Sequence, residues 1–96
     1  MSSLYVDGNQ GYVKIPVRNR TPLIIQFAIV QSAGYYHLPT SFSSNTYYIG
    51  ATQIDPGAAS SSYKNAYNFY NFSAAGFNFY QAQAENPRIS YIAVGY

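Results

Sequence analysis

The sequence predicts an all-β fold: a small antiparallel β-sandwich of about six strands with no significant helix. Three observations point to it. Apolar residues recur at alternate positions along most of the chain, which is the period of a strand with one buried face. The breaks between these runs are short and carry Gly, Pro, Asn or Ser, the residues of tight turns. The single long apolar run, Leu23 to Val30, is rich in β-branched residues and bounded by Pro22 and Gly34, which favours a central strand over a helix.

The elements follow in order. Residues 1–96 read as a single domain, with 1–10 an N-terminal approach segment and 11–96 the sandwich. GYVKIPV sets Val13, Ile15 and Val17 on one face and Tyr12 and Lys14 on the other, and NRTP breaks the run. LIIQFAIV is interrupted only by Gln26, and burial on both faces is the simplest cause of so continuous an apolar strand. After QSAG, GYYHL is a short strand leading into PTSF. SSN turns the chain into YYIGATQI, which ends at the Asp55-Pro56-Gly57 turn. PGAASSS is small and polar, as surface loops are. AYNFYNF and GFNFYQAQA flank SAAG as a hairpin, with Gly76 expected to supply an unusual backbone angle. The second of these strands sets Phe77, Phe79 and Gln81 against Asn78, Tyr80 and Ala82. Asn86-Pro87 turns the chain into the terminal strand, Ile89 to Tyr96. Expected core residues are Phe27, Phe42, Phe69, Phe77 and Phe79 with Ile25, Ile49, Ile92 and Val94; a fully buried Phe contributes about 1.5–3 kcal/mol.

Composition bounds the function. The 96 residues include 12 Tyr, 6 Phe and no Trp, and only 8% are charged, against about 25% in ordinary globular domains. The surface is therefore built of Tyr, Asn, Gln, Ser and Thr, a neutral chemistry that adaptable binding sites and subunit interfaces favour. The formal charge is +2, from basic residues (Lys14, Arg18, Arg20, Lys64, Arg88) that are scattered, whereas phosphate-tracking proteins cluster them; no nucleic-acid partner is expected. No run approaches the roughly 18 apolar residues of a membrane span, so no membrane insertion is expected. MSSLYVDGNQ lacks the basic and apolar regions of a signal peptide, and synthesis in a cytoplasm is the expectation. With no cysteine, disulfides and thiolate metal sites are excluded.

Catalytic chemistry is sparsely supplied. Asp7, Asp55 and Glu85 are the only carboxylates, and a glycosidase needs two at about 5–10 Å across a bond. His37 is the only histidine, and no Gly-x-Ser-x-Gly elbow accompanies a serine. The chain reads as non-enzymatic, with no cofactor and no metal.

The succession GYVKIP, LIIQF, LPTSF, YYIGATQ, SAAGFNFY and ISYIAVGY resembles the C-terminal receptor-binding domain of Mu-like bacteriophage tail fibres over nearly the whole chain. Phe27-Ala28 stands where that family carries Trp-Gly, Ser73 where it often has Thr, and Leu38-Pro39 where it has Phe-Pro. The terminal strand is also similar to that of H-type lectins, trimeric sugar-binding sandwiches. The resemblance implies a homotrimeric tip on the distal tail fibre of a virion, made in the host cytoplasm. Its implied partners are other tail proteins and a bacterial surface glycan such as lipopolysaccharide. Some fibre tips bind iron through paired His-x-His motifs, and Tyr36-His37-Leu38 lacks the second histidine. A purely structural virion protein, such as a fibre-attachment or baseplate accessory subunit, is the alternative.

Tyr offers an apolar face and a hydroxyl, matching the C–H faces and hydroxyl rims of sugars. Tyrosines beside Asn or another Tyr (Tyr35, Tyr36, Tyr47, Tyr48, Tyr67, Tyr70, Tyr80) suit an interface, with about half of them expected to face the core or a neighbouring subunit. Glycan-contact candidates are placed on loops after strands: Tyr35, Tyr36 and His37; Tyr63, Asn65, Tyr67 and Asn68; and Asn86 with Arg88.

Overall fold

The computed structural model describes residues 3–54, 67–82 and 87–96. Among them the alternating segments form eight strands: β1 (Ser3–Asp7), β2 (Gln10–Val17), β3 (Arg20–Val30), β4 (Gly34–His37), β5 (Tyr48–Ile54), β6 (Tyr67–Tyr70), β7 (Gly76–Gln81) and β8 (Arg88–Gly95). They pair antiparallel throughout, in a five-stranded sheet ordered β1-β2-β3-β8-β5 and a three-stranded sheet ordered β4-β7-β6. The all-β sandwich expected from the periodicity is what forms, and no helix occurs among the described residues. The strand count exceeds the expected six, in part because Ser3–Asp7, read as an approach segment, pairs with β2 as an edge strand. Gly8, at φ 62°, takes the left-handed turn between them.

The larger sheet buries one face against the smaller one. Ile24, Ala28 and Val30 of β3 and Ile89, Tyr91 and Ala93 of β8 meet Phe77 and Phe79 of β7, both fully buried. The rings interlock edge to face: Phe77 lies 5.2 Å from Phe69 and 5.2 Å from Tyr91 between centroids. Such geometry aims positive ring edges at negative faces and adds about 0.5–1.5 kcal/mol per pair. Small residues at 28 and 93 make room for the rings opposite, the large-against-small pairing a close-packed core requires.

Four expected core residues, Ile25, Phe27, Ile92 and Val94, lie on the other face, with Ile25 and Val94 half-buried. Phe27 is 37% exposed and Ile92 55% exposed. β3 and β8 are apolar on both faces, so alternation alone does not say which one turns inward; packing room beneath the aromatic sheet selects the face that carries Ala28, Ala93 and Gly95. The expectation for Gly76 also changes. Its backbone angle is unexceptional, and Asn71 takes the left-handed conformation in this hairpin, at φ 53°. Gly76 is needed for space: a Cβ there would lie 2.3 Å from the Tyr36 carbonyl oxygen and 2.6 Å from the Tyr35 hydroxyl.

Residues 38–47 tie the sheets together. The Leu38 and Phe42 amides donate to the Ala75 and Ala74 carbonyls, each at 2.8 Å, and the Ser43 amide donates to the Tyr96 carbonyl at 2.7 Å. Gln26, fully buried in β3, accepts from the Thr40 amide at 3.0 Å. The Phe42 ring stacks on Tyr47 at 4.4 Å, and a Cβ on Gly95 would sit 2.8 Å from the Tyr47 Cβ. The chain end is thus part of the core, with β8 hydrogen-bonded on both sides.

Candidate functional site

The three-stranded sheet turns its Phe side chains inward, so strand parity sends the alternate residues outward. Register places Tyr35 of β4 opposite Asn78 of β7, and Asn78 opposite Tyr70 of β6. In the adjoining rows His37 lies opposite Gly76, and Tyr80 opposite Asn68. Directly opposed residues in an antiparallel pair have Cβ atoms about 4.5–5.5 Å apart. Tyr35, Tyr70, Tyr80, His37, Asn68 and Asn78 therefore form one continuous aromatic and amide surface. Tyr35, Tyr70 and Tyr80 are 47%, 40% and 52% exposed.

Two contacts order this surface. The His37 ring meets Tyr35 edge-on with centroids 5.0 Å apart, and the Tyr35 hydroxyl shares a hydrogen bond with Ser73 Oγ at 3.4 Å. Gly76 lets the Tyr35 ring lie against the backbone, since a Cβ there would come within 2.8 Å of the Tyr35 Cζ. From the inner side, the Tyr47 hydroxyl donates to the Ser73 and Gly76 carbonyls, each at 3.1 Å. Burial and then the nearby Tyr35 push that hydroxyl up to about 12. Burial also raises Tyr91, with a smaller contribution from Tyr47. The half-buried, neutral Tyr47 phenol thus fixes the 73–76 turn beneath the platform.

The sequence candidates divide over this frame. Tyr35, His37 and Asn68 lie on the surface together. Tyr36 and Tyr67 are packed against the core; the Tyr36 hydroxyl donates to the Ser32 carbonyl at 2.8 Å and its ring stacks on Phe77 at 6.5 Å. Arg88 is exposed at the start of β8, in the other sheet. Tyr63, Asn65 and Asn86 lie outside the described residues. Asn78 completes the surface and was not among the candidates, nor were Tyr70 and Tyr80, already marked as interface tyrosines. The signal for all three was parity: each sits one position from an inward Phe, on a strand where loops were expected to carry the contacts.

What this face can do follows from its groups. It presents flat apolar rings, phenol and imidazole hydrogen-bonding groups, and amides that both donate and accept. No described group of three His, Cys, Asp or Glu residues is placed to hold a metal ion, and the only described carboxylate, Asp7, lies in β1, where it raises the Tyr5 hydroxyl by its charge and accepts a hydrogen bond from it at 3.3 Å.

Neither a protein-family model nor a curated protein matches the sequence. The fold is similar to that of solved tail-fibre chains. An N-truncated R1-type pyocin tail fibre aligns over 100% of this chain and 86% of its own length, with 22% identity and a TM-score of 0.66. An R1 pyocin fibre from P. aeruginosa, comprising its C-terminal residues, aligns over 100% of this chain and 28% of its own length, with 18% identity and a TM-score of 0.62. At that identity the likeness is one of fold.

Proposed function

We propose that this chain is the tip domain of a phage-type tail fibre, a homotrimer on the distal fibre of a virion that adheres to a bacterial surface glycan such as lipopolysaccharide. The observation that carries the reading is the outward surface of the three-stranded sheet, where Tyr35, Tyr70 and Tyr80 alternate with Asn68, Asn78 and His37. Sugar rings stack their C–H faces on tyrosine while neighbouring amides meet the hydroxyl rim. Each such site is shallow and weak. Three on one fibre tip gain affinity because engagement of the first raises the effective concentration of the others. The fold similarity to pyocin tail fibres supports the placement, and binding requires neither metal nor cofactor.

A second reading, a structural virion subunit that binds only other tail proteins, has one observation in its favour: an uncovered aliphatic face on the five-stranded sheet. Binding of the purified chain to host cells and to their extracted lipopolysaccharide separates the two. Tyr35→Ala and Tyr80→Ala should each weaken cell binding at least about tenfold, equivalent to about 1.4 kcal/mol, with the melting temperature nearly unchanged for Tyr80→Ala. A wild-type chain that binds no host surface refutes the adhesion reading and leaves the structural one.

A further inference from the structure

Two adjacent rows on the outer face of the five-stranded sheet are apolar from edge to edge, and beyond them the same face of β8 carries Ser90 and Arg88. Register aligns Leu4, Val13, Ile25, Val94 and Tyr48 in one row across all five strands, and Val6, Gly11, Phe27, Ile92 and Gly50 in the next. Neither row contains a charged residue, and the three-stranded sheet packs on the opposite side. Leu4 is 75%, Val6 58%, Ile92 55% and Tyr48 84% exposed. A strand as continuously apolar as Leu23 to Val30 is built for burial on both faces, and the protomer covers only one. An apolar patch of this extent marks a permanent interface.

The relief of the face suits another copy of itself. Its β1 edge carries the protruding Leu4 and Val6. Its β5 edge carries hollows: one of about 260 Å³ beside Ile92, open above Gly50, where a Cβ would touch nothing within 4 Å, and one of about 560 Å³ lined by Leu23, Tyr48 and Val94 among others. Knobs on one edge and hollows on the other make a head-to-tail contact, which closes into a ring of three when each copy is turned by a third of a circle. Five strands at about 4.8 Å span about 24 Å, and three such sheets forming a prism stand about 7 Å from its axis, near the ~5 Å that side chains of packed sheets reach. The central strand, β3, then brings Phe27 to the axis with Ile92 beside it. At about 20 Å of strand length each protomer contributes a face of about 480 Å², and the three together enclose about 1,400 Å² over the whole assembly.

We infer that three copies of this chain associate through the outer face of the five-stranded sheet, with Phe27 and Ile92 lining the axis and the Tyr-Asn surfaces turned outward. The inference rests on the homotrimer proposed above and is independent of what the outward surfaces bind. Ile92→Glu is the direct test, because an exposed position tolerates a charge in the isolated protomer. Native mass spectrometry at micromolar concentration should give three chains for the wild type, one for Ile92→Glu with its far-UV dichroism retained, and three for Tyr80→Glu on the opposite face. A second measurement covers the case in which Ile92→Glu fails to fold. The chain has no cysteine, so Ile92→Cys and Tyr80→Cys each introduce a sole thiol, and a short bismaleimide should cross-link only the first. Cross-linking confined to Tyr80→Cys, or an Ile92→Glu variant that remains three chains, overturns the assignment. A monomeric or dimeric wild type overturns it together with the homotrimer. The cell-binding assay is scored separately, and loss of binding by a protein that still weighs three chains refutes adhesion alone.

Discussion

Truncating Phe77 to alanine tests where the core lies. Phe77 is fully buried, and its ring stands 5.2 Å from Phe69, 5.2 Å from Tyr91, 6.3 Å from Phe72 and 6.5 Å from Tyr36. Phe77→Ala removes a ring that touches both sheets and leaves a cavity walled by other rings, which are too stiff to collapse into it. The expected cost is about 3–5 kcal/mol, within a total stability of about 5–15 kcal/mol. At about 4–8 °C per kcal/mol for a domain of this size, the melting temperature should fall by at least about 12 °C. Phe27→Ala is the control of equal chemistry on the outer face. At 37% exposure the isolated protomer loses less burial there, and the variant should weaken association more than folding. Thermal melts followed by far-UV dichroism, at concentrations above and below dissociation, separate the effects. A Phe77→Ala variant that melts within about 5 °C of wild type, or a dilute Phe27→Ala variant that loses more than Phe77→Ala, would refute this account of the core.

Two further outcomes follow from the turn beneath the platform. Gly76→Ala places a methyl 2.3 Å from the Tyr36 carbonyl oxygen; backbone on the paired strand cannot yield cheaply, so the variant should lose both the β4-β7 pairing and glycan binding, measured by melting and cell binding together. Alkaline stability should be limited in part by Tyr47, whose hydroxyl is raised by burial from 10.0 to about 12, alongside the more deeply buried Tyr91. A group with a raised folded value contributes stability that is fully present below its unfolded pKa and is lost as pH rises through the folded one. Urea midpoints should therefore hold below pH 10 and fall between pH 10 and about 12. Tyr47→Phe should flatten that fall while costing about 1 kcal/mol at neutral pH, because its hydroxyl bonds to the Ser73 and Gly76 carbonyls are gone; an unchanged pH dependence would assign the alkaline transition to Tyr91.

Most of the fold was legible in the sequence for one physical reason: period-two alternation is local. β7 illustrates it, since Phe77, Phe79 and Gln81 turn inward and Asn78, Tyr80 and Ala82 outward, as their spacing predicts. Where both parities are apolar, local pattern is silent, and β3 and β8 were assigned to the wrong face. The discriminating signal was present in a subtler form. Ala28, Ala93 and Gly95 are small residues on one parity of two otherwise bulky strands, and small residues mark where a facing layer of rings needs room. β1 was missed because Ser3–Asp7 is too short, at five residues, to show a period, and its place was decided by pairing with β2 across the Gly8 turn.

The candidate site was legible only in part, because a site on a sheet face is assembled by register, which depends on partners distant in sequence. Tyr35 and Asn78 are neighbours solely because β4 and β7 pair, and no feature of QSAGYYH announces that pairing. The reading that sugar contacts belong on loops assumed that strand interiors hold only core residues. In a sandwich whose thin sheet is three strands wide, each strand has an outward parity, and with few charges available that parity is filled by Tyr and Asn. The same charge deficit shapes both outer faces, yet to opposite ends: the small sheet presents hydroxyls and amides that remain content in water, and the large sheet presents Leu, Val, Ile and Phe, which do not. A protein with one face suited to water and one suited to burial is poised to display the first by covering the second, and this polarity connects an 8% charged composition to the trimeric binding tip proposed for it.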